Sequence, residues 1–244
     1  MIAQVTSPLA RKLGCFVALS DAEFAVLERL QRRRRPVAAG REIVHQGQSE
    51  QAAYILVSGW VCSYKTLRDG SRQIVDFQIP GDFLGLRSTL LHTSDHGIDS
   101  ITDIEICEVP SGDLLAAFAD TPRLATAVLW AASRDEAMVV EHLAGLGRRA
   151  APQRVAHFLL ELGARLALVG MGTKARYACP LTQYLLADAL GLSAVHINRV
   201  LRQLREQGLV TFRDGMVVFD DYRGLVALAD FDPAYLDQER PLLR

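Results

Sequence analysis

The segment of residues 182–201, TQYLLADALGLSAVHINRVL, constrains the fold of this chain more than any other. Ala187, Gly191 and Ile197 follow one another at intervals of four and six residues, the spacing of a helix-turn-helix. The alanine lets the helices approach closely, the glycine suits a turn with positive φ, and the isoleucine fills the angle between the helices. Apolar residues frame this pattern at Leu186, Leu190, Leu192 and Val200. The spacing therefore predicts two short helices joined by a tight turn.

The second of these helices carries the residues that point to a function. Ser193 can cap its N-terminus, which places the recognition helix at about residues 193–202. Its predicted outward side comprises Ala194, Val195, His196, Asn198, Arg199 and Arg202. A helix of this kind fits the major groove of B-DNA, so the segment predicts a DNA-binding surface. The alternative is a helical hairpin in another core, but packing does not require Asn198 and Arg199 on an exposed face.

Composition permits this interpretation and locates the positive charge. The chain has 244 residues, of which 50% are hydrophobic and 23% charged, which is enough for two domains. Its net charge is −1, so a hold on nucleic acid must come from local charge. Residues 148–212 contain nine basic and three acidic residues, a local charge of +6. The C-terminal part is therefore predicted to be the electropositive one.

The N-terminal segment and the cysteines indicate a reduced, cytoplasmic protein. No stretch approaches the length of a membrane span, and the first residues do not resemble a cleaved leader, so we expect no contact with a membrane. Four cysteines lie far apart, with no pair in a CxxC motif: Cys15, Cys62, Cys107 and Cys179. This pattern argues against a metal or cluster site. Cys179 precedes the helix-turn-helix directly, so it is the candidate for a redox role.

Residues 36–110 predict an antiparallel barrel or roll. Short apolar runs alternate there with glycine, and Asp69-Gly70 and Pro80-Gly81 are turn signals. Just before this segment, the run Arg32 to Arg35 is interpreted as capping or extending a solvated helix that covers residues 21–34, and a nucleic-acid-binding arm is the alternative.

After Pro122 the sequence predicts a long helix of about two dozen residues. Apolar residues spaced three and four apart form one side of it, interrupted by Glu136: Leu129, Ala132, Val139, Leu143 and Leu146. This side either lies across the chain's own roll or forms a seam between two identical subunits. We favour the seam, because a symmetric dimer would place two recognition helices about one DNA turn apart.

The order of these parts resembles the bacterial transcription factors that include the catabolite activator protein and the fumarate-nitrate reduction regulator, the Crp/Fnr superfamily. The resemblance rests on Gln46-Gly47, on SGWV at 58–61, on PGDFLG at 80–85, on the long helix, and on the helix-turn-helix with GLV at 208–210. The segment LVTFRDGMVVF then follows as a predicted wing, with its turn at Asp214-Gly215.

The resemblance implies an α+β fold and a division into three segments. These are an antiparallel β-roll like a cyclic-nucleotide-binding jelly roll over 1–118, a dimerisation helix over 119–147 and a winged helix-turn-helix over 148–244. It also implies a cytoplasmic homodimer that regulates transcription, binds a palindromic double-stranded DNA operator, and contacts RNA polymerase. Lys174 and Arg176, in the loop of residues 170–178, lie where relatives touch the polymerase, and a solvated loop is the alternative.

The cofactor chemistry of the family is not matched. Relatives bind the cyclic nucleotide with a Glu after PGDF(F/L)G and with a later Arg-Ser pair, where this chain has Leu86, His96 and Gly97. Leucine offers no hydrogen bond to the ribose, so cyclic AMP is not expected as a ligand. An iron-sulfur cluster is not expected either, because the N-terminus has Cys15 alone. A pocket for an unknown small-molecule effector would comprise Gly85, Leu86, Arg87, His96, Gly97, Glu141 and His142.

The roles expected at the DNA follow from the same comparison. Many relatives have a Glu at the position of Val195, and valine can contact only a thymine methyl, so the familiar half-site should not be assumed. Arg199 matches the family arginine that reads guanine, with His196 and Asn198 beside it. Phosphate contacts are assigned to Thr182, Gln183 and Arg202.

The sequence leaves two alternative functions open. One is a regulator that needs no ligand, controlled by its abundance or by thiol chemistry. The other is a cupin-like metalloenzyme fused to a DNA-binding module. A cupin needs closely spaced His and carboxylate ligands, and the roll supplies only His45 before residue 92. We therefore expect a regulator without enzymatic activity.

Overall fold

The computed structural model describes residues 7–49, 52–89, 91 and 93–236. These residues form two compact units: 7–71 with 76–133, and 72–75 with 134–236. No helix among them is both long and apolar enough to cross a membrane. The predicted fold class is confirmed, with an antiparallel roll, a long helix and a helix-turn-helix in that order.

The roll consists of two antiparallel sheets. Its strands are β1 (Arg34–Val37), β2 (Glu42–Val44), β3 (Ala53–Ser58), β4 (Val61–Thr66), β5 (Arg72–Gln78), β6 (Phe83–Leu84), β7 (Gly97–Ser100) and β8 (Ile104–Val109). The order is β1-β8-β3-β6 in one sheet and β2-β7-β4-β5 in the other. Val44, Leu56 and Ile98 are among the buried residues that fill the space between the sheets. Successive strand residues face opposite sides, so Ile55 and Cys107 face the helices instead.

Helices cover that second face of the roll. They are α1 (Pro8–Gly14), α2 (Asp21–Leu30), α3 (Ser111–Asp120) and the first half of α4 (Pro122–Arg148). Neither α1 nor α3 was predicted from the sequence. Helix α1 is fixed by a buried ion pair, in which Lys12 Nζ lies 2.8 Å from Asp82 Oδ1. Asp82 also accepts a hydrogen bond from the backbone N–H of Ile79, so this aspartate of the PGDF motif is structural.

The helix predicted over residues 21–34 is wrong at its C-terminal end. Helix α2 ends at Leu30, and Arg34 and Arg35 belong to strand β1, which pairs with β8. The residue before a proline avoids helical backbone angles, so Pro36 was the available signal. In the strand, Arg34 lies 3.3 Å from Glu105, and the Arg35 guanidinium lies over the Tyr54 ring.

Helix α4 spans 27 residues and begins at the proline that the sequence indicated. Leu129, Val139 and Leu143 are exposed along one side of it, as the predicted seam requires. Leu146, which was also assigned to the seam, is half-buried elsewhere, as described below.

The second unit contains the remaining elements. These are α5 (Ala151–Leu168), β9 (Arg176–Ala178), α6 (Gln183–Leu190), α7 (Ala194–Glu206), β10 (Val210–Arg213), β11 (Met216–Phe219), α8 (Tyr222–Ala229) and a 3₁₀ turn at Pro233–Leu236. The three strands form one sheet in the order β10-β11-β9.

A buried polar cluster lies at the centre of this unit. Glu161 of α5 is 1% exposed; its Oε1 lies 2.9 Å from His142 Nε2, and its Oε2 accepts a hydrogen bond of 2.8 Å from the Tyr235 hydroxyl. Arg165 Nη1 lies 3.9 Å from the same carboxylate. Although burial would raise the pKa of Glu161, these partners lower it below its usual value. The carboxylate is therefore charged and is the link between α4, α5 and the 3₁₀ turn.

Candidate nucleic-acid interface

The predicted helix-turn-helix is confirmed in its local geometry. Thr182 caps α6 and accepts a hydrogen bond from the Leu185 backbone N–H at 3.3 Å, and Ser193 caps α7 through the His196 N–H at 3.2 Å. Each cap satisfies a backbone donor that the first turn of a helix leaves open. The two helices are thus bounded by side chains that the sequence provides at the required positions.

Glycine is required at the turn for two reasons. Gly191 has φ of 60° and ψ of 41°, left-handed values that disfavour a side chain. A Cβ at this position would also lie 3.1 Å from Leu146 Cδ2. Leu146, predicted for the dimer seam, is half-buried, and its side chain lies at this turn.

Arg154 ties the same turn to the helices before it. Its guanidinium donates hydrogen bonds to the carbonyl oxygens of Leu190 at 2.6 Å, Leu146 at 3.2 Å and Arg149 at 3.1 Å. Arg154 contributes to the local positive charge of the sequence, but in the structure it closes the C-terminal ends of α4 and α6. Burial lowers the pKa of this guanidinium, which still leaves it charged at neutral pH.

The positive charge available at the surface is consequently smaller than the sequence count. Arg149 pairs with Glu141 at 2.7 Å, and Arg165 is buried beside Glu161. The exposed cations of the second unit that remain near the motif and wing include Arg199, Arg202 and Arg213. Arg202 lies 3.7 Å from Glu206, but both side chains are well exposed, so solvent screens this pair.

Helix α7 has one buried and one exposed face. Ile197, Val200 and Leu204 are buried and hold the helix against the unit. The opposite face exposes Val195, Asn198, Arg199 and Arg202, which recur at helical intervals and so form one stripe. Val195 is 81% exposed, so its side chain is free to contact a ligand in the groove. Ala194 and His196, predicted for the same face, are half-buried at its edge.

The first residues of α6 lie beside this stripe. Thr182, Gln183 and Tyr184 are exposed, and Asn198 Nδ2 donates a hydrogen bond of 3.2 Å to Gln183 Oε1. Tyr184, which is 76% exposed, was not identified from the sequence. Its position directly after a predicted phosphate contact was the available signal.

The predicted wing is confirmed as the hairpin of β10 and β11. Asp214 and Gly215 at its tip have φ of 52° and 70°, as a two-residue hairpin turn requires. Arg213 pairs with Met216 in the register and is exposed at this tip. The wing thus adds a cation that the sequence analysis did not assign.

In the first unit, the positions predicted for an effector pocket interact among themselves. Arg87 Nη2 lies 2.7 Å from Asp95 Oδ1, and His96 Nδ1 lies 2.7 Å from the same oxygen. Burial would raise the pKa of Asp95, but the hydrogen bond with His96 and the charge of Arg87 lower it. Lys65 Nζ lies 3.6 Å from Asp95 Oδ2, so Arg87 and Lys65 share this one carboxylate. Gly85 and Leu86 precede Arg87, at the start of the 3₁₀ turn Leu86–Thr89.

An aromatic ring occupies the space beside Gly97. A Cβ at this glycine would lie 2.6 Å from Tyr64 Cζ, so a larger residue does not fit. Tyr64 is held by Asp99 at 3.1 Å and Glu42 at 3.4 Å, and burial together with these carboxylates raises its pKa.

Glu141 and His142, assigned to the effector site from the sequence, have their partners in the second unit. Glu141 bonds Arg149 and lies 3.6 Å from His157, and His142 contacts Glu161 and the Val75 carbonyl oxygen. Their role toward an effector stays a prediction. Among the described residues, no group of three or more His, Cys, Asp or Glu side chains is arranged to hold a metal ion.

We expect Cys179 to react slowly with thiol reagents in the folded protein. Its side chain is 1% exposed and burial raises the pKa of its thiol to about 12, so the reactive thiolate is scarce at neutral pH. Cys15, which is half-exposed, should react first. Peptide mapping after brief alkylation of the native protein measures both rates. Equal labelling of Cys179 and Cys15 would favour the redox role predicted for Cys179. Without it, that role stays a prediction that burial disfavours.

Comparisons with known proteins cover both units. Residues 34–121 match the cyclic nucleotide-binding domain, and residues 153–228 match the Crp-like helix-turn-helix domain. The chain is 30% identical over 213 residues to the nitrogen fixation regulation protein FixK of Bradyrhizobium diazoefficiens, which covers 87% of this chain and 88% of that protein. It is 31% identical to the transcriptional activatory protein AadR of Rhodopseudomonas palustris over 87% of this chain and 88% of that protein. Among solved structures, FixK2 from Bradyrhizobium japonicum matches with a TM-score of 0.72 and 29% identity, over 80% of this chain and 96% of that chain.

Proposed function

The chain belongs to the Crp/Fnr family of bacterial DNA-binding transcription regulators, and we propose on this basis that it acts as a homodimer on a palindromic operator. The observation that carries the proposal is the exposed stripe of α7, which presents Val195, Asn198 and Arg199 to solvent above a buried face. A regulator of this kind acts in the cytoplasm, where the DNA is, and needs no enzymatic activity.

Dimerisation through α4 would bury a row of apolar side chains that is exposed in the single chain. Leu129 and Leu143 are 66% and 69% exposed, and Val139 and Val140 are exposed between them. Apolar residues at such intervals along one helix face pack well against a copy of themselves. A two-fold dimer would present two α7 helices to successive major grooves.

A pool of random duplexes provides the test of this function. The full-length protein is expected to enrich sequences with two inverted half-sites spaced by about one helical turn. Enrichment of single half-sites would contradict the dimeric proposal, and the absence of any enriched sequence would contradict specific binding itself.

Arg199→Ala is expected to weaken operator binding by roughly 1 to 3 kcal/mol and to relax one base position. The exposed guanidinium can donate two hydrogen bonds to guanine, which alanine cannot replace. Arg202→Ala is the matched control, because the loss of a phosphate contact weakens binding similarly on all sequences and reduces its salt dependence. Electrophoretic shifts on a set of single-base operator variants measure both. Unchanged discrimination in Arg199→Ala would count against its role in base readout.

We assign the polymerase contact to the segment of residues 170–178, which ends in β9. Lys174 and Arg176 are exposed there, and the Thr173 hydroxyl accepts hydrogen bonds from the N–H groups of Ala175 and Arg176 at 3.2 and 3.1 Å. A loop that is fixed by its own side chain presents its cations at low entropic cost.

A regulator that needs no effector is the second candidate function. It is favoured by the Tyr64 ring, which fills the space beside Gly97, and by the Arg87–Asp95–His96 contacts, which an anionic ligand would have to replace. No cofactor is proposed. This candidate requires the same operator affinity in purified protein with and without cyclic AMP or small molecules from a cell extract. A change in affinity on addition of either would instead favour an effector-controlled regulator.

A further inference from the structure

We infer that Gln183 orients the Asn198 amide so that Asn198 reads an adenine in the operator. Gln183 would then do more than contact a phosphate. The inference rests on the proposed DNA-binding function and names the base specificity of that same surface. It also revises the role that the sequence analysis gave to Gln183.

The two side chains join the two helices of the motif. Gln183 is the first residue of α6, directly after the Thr182 cap, and Asn198 lies in the second turn of α7. Asn198 Nδ2 donates to Gln183 Oε1 at 3.2 Å, which is within the range of a true hydrogen bond. Both residues are exposed, so the bond is not required to satisfy a buried group.

A DNA phosphate can only accept hydrogen bonds, so Gln183 must turn its Nε2 group to the phosphate and its Oε1 to Asn198, and the Asn198 Nδ2 group then faces α6. The Nδ2 group is turned toward Gln183, so Oδ1 is turned away from it. One N–H of Nδ2 is used, while the other N–H and Oδ1 remain available as a donor and an acceptor. An amide without this partner could rotate by half a turn and present the two groups in the opposite order.

A donor and an acceptor in fixed order match one base edge. Adenine presents the N7 acceptor and the N6 donor in the major groove, and asparagine pairs with both. Guanine presents two acceptors there, so the Asn198 oxygen would face the guanine oxygen without a hydrogen atom between them. Because A·T and T·A present these groups in opposite order across the groove, a fixed amide also distinguishes those two base pairs.

The neighbours of Asn198 agree with this assignment. Val195 lies three residues before Asn198 on the same exposed stripe and can contact a thymine methyl, while Arg199 follows directly and can read guanine. The stripe would then read adjacent base pairs through three different chemistries. Gln183 keeps its Nε2 group for a phosphate, so it can hold the DNA backbone and the reading amide together.

The base pair to test is the one at which Asn198→Ala abolishes the preference of the protein. Competition binding then compares four duplexes that differ only at this base pair. The unchanged full-length protein is expected to prefer adenine there by about tenfold or more. Gln183→Leu removes the acceptor at similar size and should reduce this preference to about twofold, even where binding to the other duplexes persists.

Gln183→Glu is the rescue variant. Its carboxylate still accepts from Asn198 but repels a phosphate, so the adenine preference should be retained while affinity falls about equally on all four duplexes. The inference is overturned if Gln183→Leu loses affinity equally on all four duplexes and keeps the preference for adenine. It is also overturned if Asn198→Ala changes no base preference, or abolishes a preference for a base other than adenine. A protein that selects no operator at all would instead contradict the proposed function.

Discussion

Leu143→Glu is expected to produce a monomer and to weaken operator binding by roughly a hundredfold or more, because two linked half-site contacts become two separate ones. Leu143 is 69% exposed near the C-terminal end of the α4 stripe. Across a two-fold axis, the new carboxylate would face apolar residues and its own copy. Burying it there would cost far more than the packing of a leucine side chain contributes.

Sedimentation of the purified variant and its affinity for the selected operator are the two measurements. Leu115→Glu is the matched control, since Leu115 of α3 is similarly exposed at 63% but does not belong to the α4 stripe. The control should remain dimeric with unchanged affinity. A dimeric Leu143→Glu variant that binds the operator normally would remove α4 as the subunit interface.

Glu161→Gln is expected to lower the free energy of unfolding of the second unit by roughly 3 to 5 kcal/mol. The substitution preserves the size of the side chain but removes the negative charge of Glu161. His142 Nε2 and Arg165 contact this carboxylate and would stay beside the uncharged amide. A buried cation that loses a carboxylate partner recovers less of its desolvation cost.

The two units can be followed separately in this experiment. Both tryptophans, Trp60 and Trp130, lie in the first unit, so their fluorescence reports that unit, while far-ultraviolet circular dichroism also reports the helices of the second. We expect the circular dichroism transition in urea to shift to lower concentration while the fluorescence transition stays. Glu206→Gln, at a solvent-exposed pair with Arg202, is the control and should leave both transitions in place. Coincident, unshifted transitions in Glu161→Gln would contradict the assigned role of the cluster.

The pH dependence of stability follows from the same carboxylate. The pKa of Glu161 lies below its ordinary value of 4.5 in the folded protein, so its contribution is fully present above that pH. The contribution is lost as the pH falls through the lower, folded value. The unchanged protein should therefore lose stability on acidification below about pH 4.5 more steeply than Glu161→Gln. Equal acid sensitivity of the two proteins would show that Glu161 is not held in its charged form.

The helix-turn-helix could be predicted because its determinants are local. Thr182, Gly191 and Ser193 each satisfy a cap or a backbone angle within a few residues, so the sequence pattern and the structure agree. The roll was predicted for a similar reason, since its turns are marked by glycines. Helices α1 and α3 are short and depend on packing against the roll, which their own sequences indicate only weakly.

The residues that were misassigned or missed depend on contacts between distant segments. Leu146 has the spacing of a seam residue, and only its contact with the Gly191 turn reveals another role. Arg154 appears in the sequence as one more cation, although it bonds three carbonyl oxygens. Similarly, nothing near Gln183 in the sequence indicates its bond to Asn198, because the turn between α6 and α7 brings them together.

Methylation interference on the selected operator tests the central claim most directly, because dimethyl sulfate modifies guanine N7 in the major groove. If two copies of α7 occupy successive major grooves, modification should block binding at two guanines, one in each half-site, about one helical turn apart on the same face of the duplex. Arg199→Ala should lose the sensitivity at both guanines together. A single sensitive site, or binding that no major-groove modification affects, would contradict recognition by a pair of α7 helices.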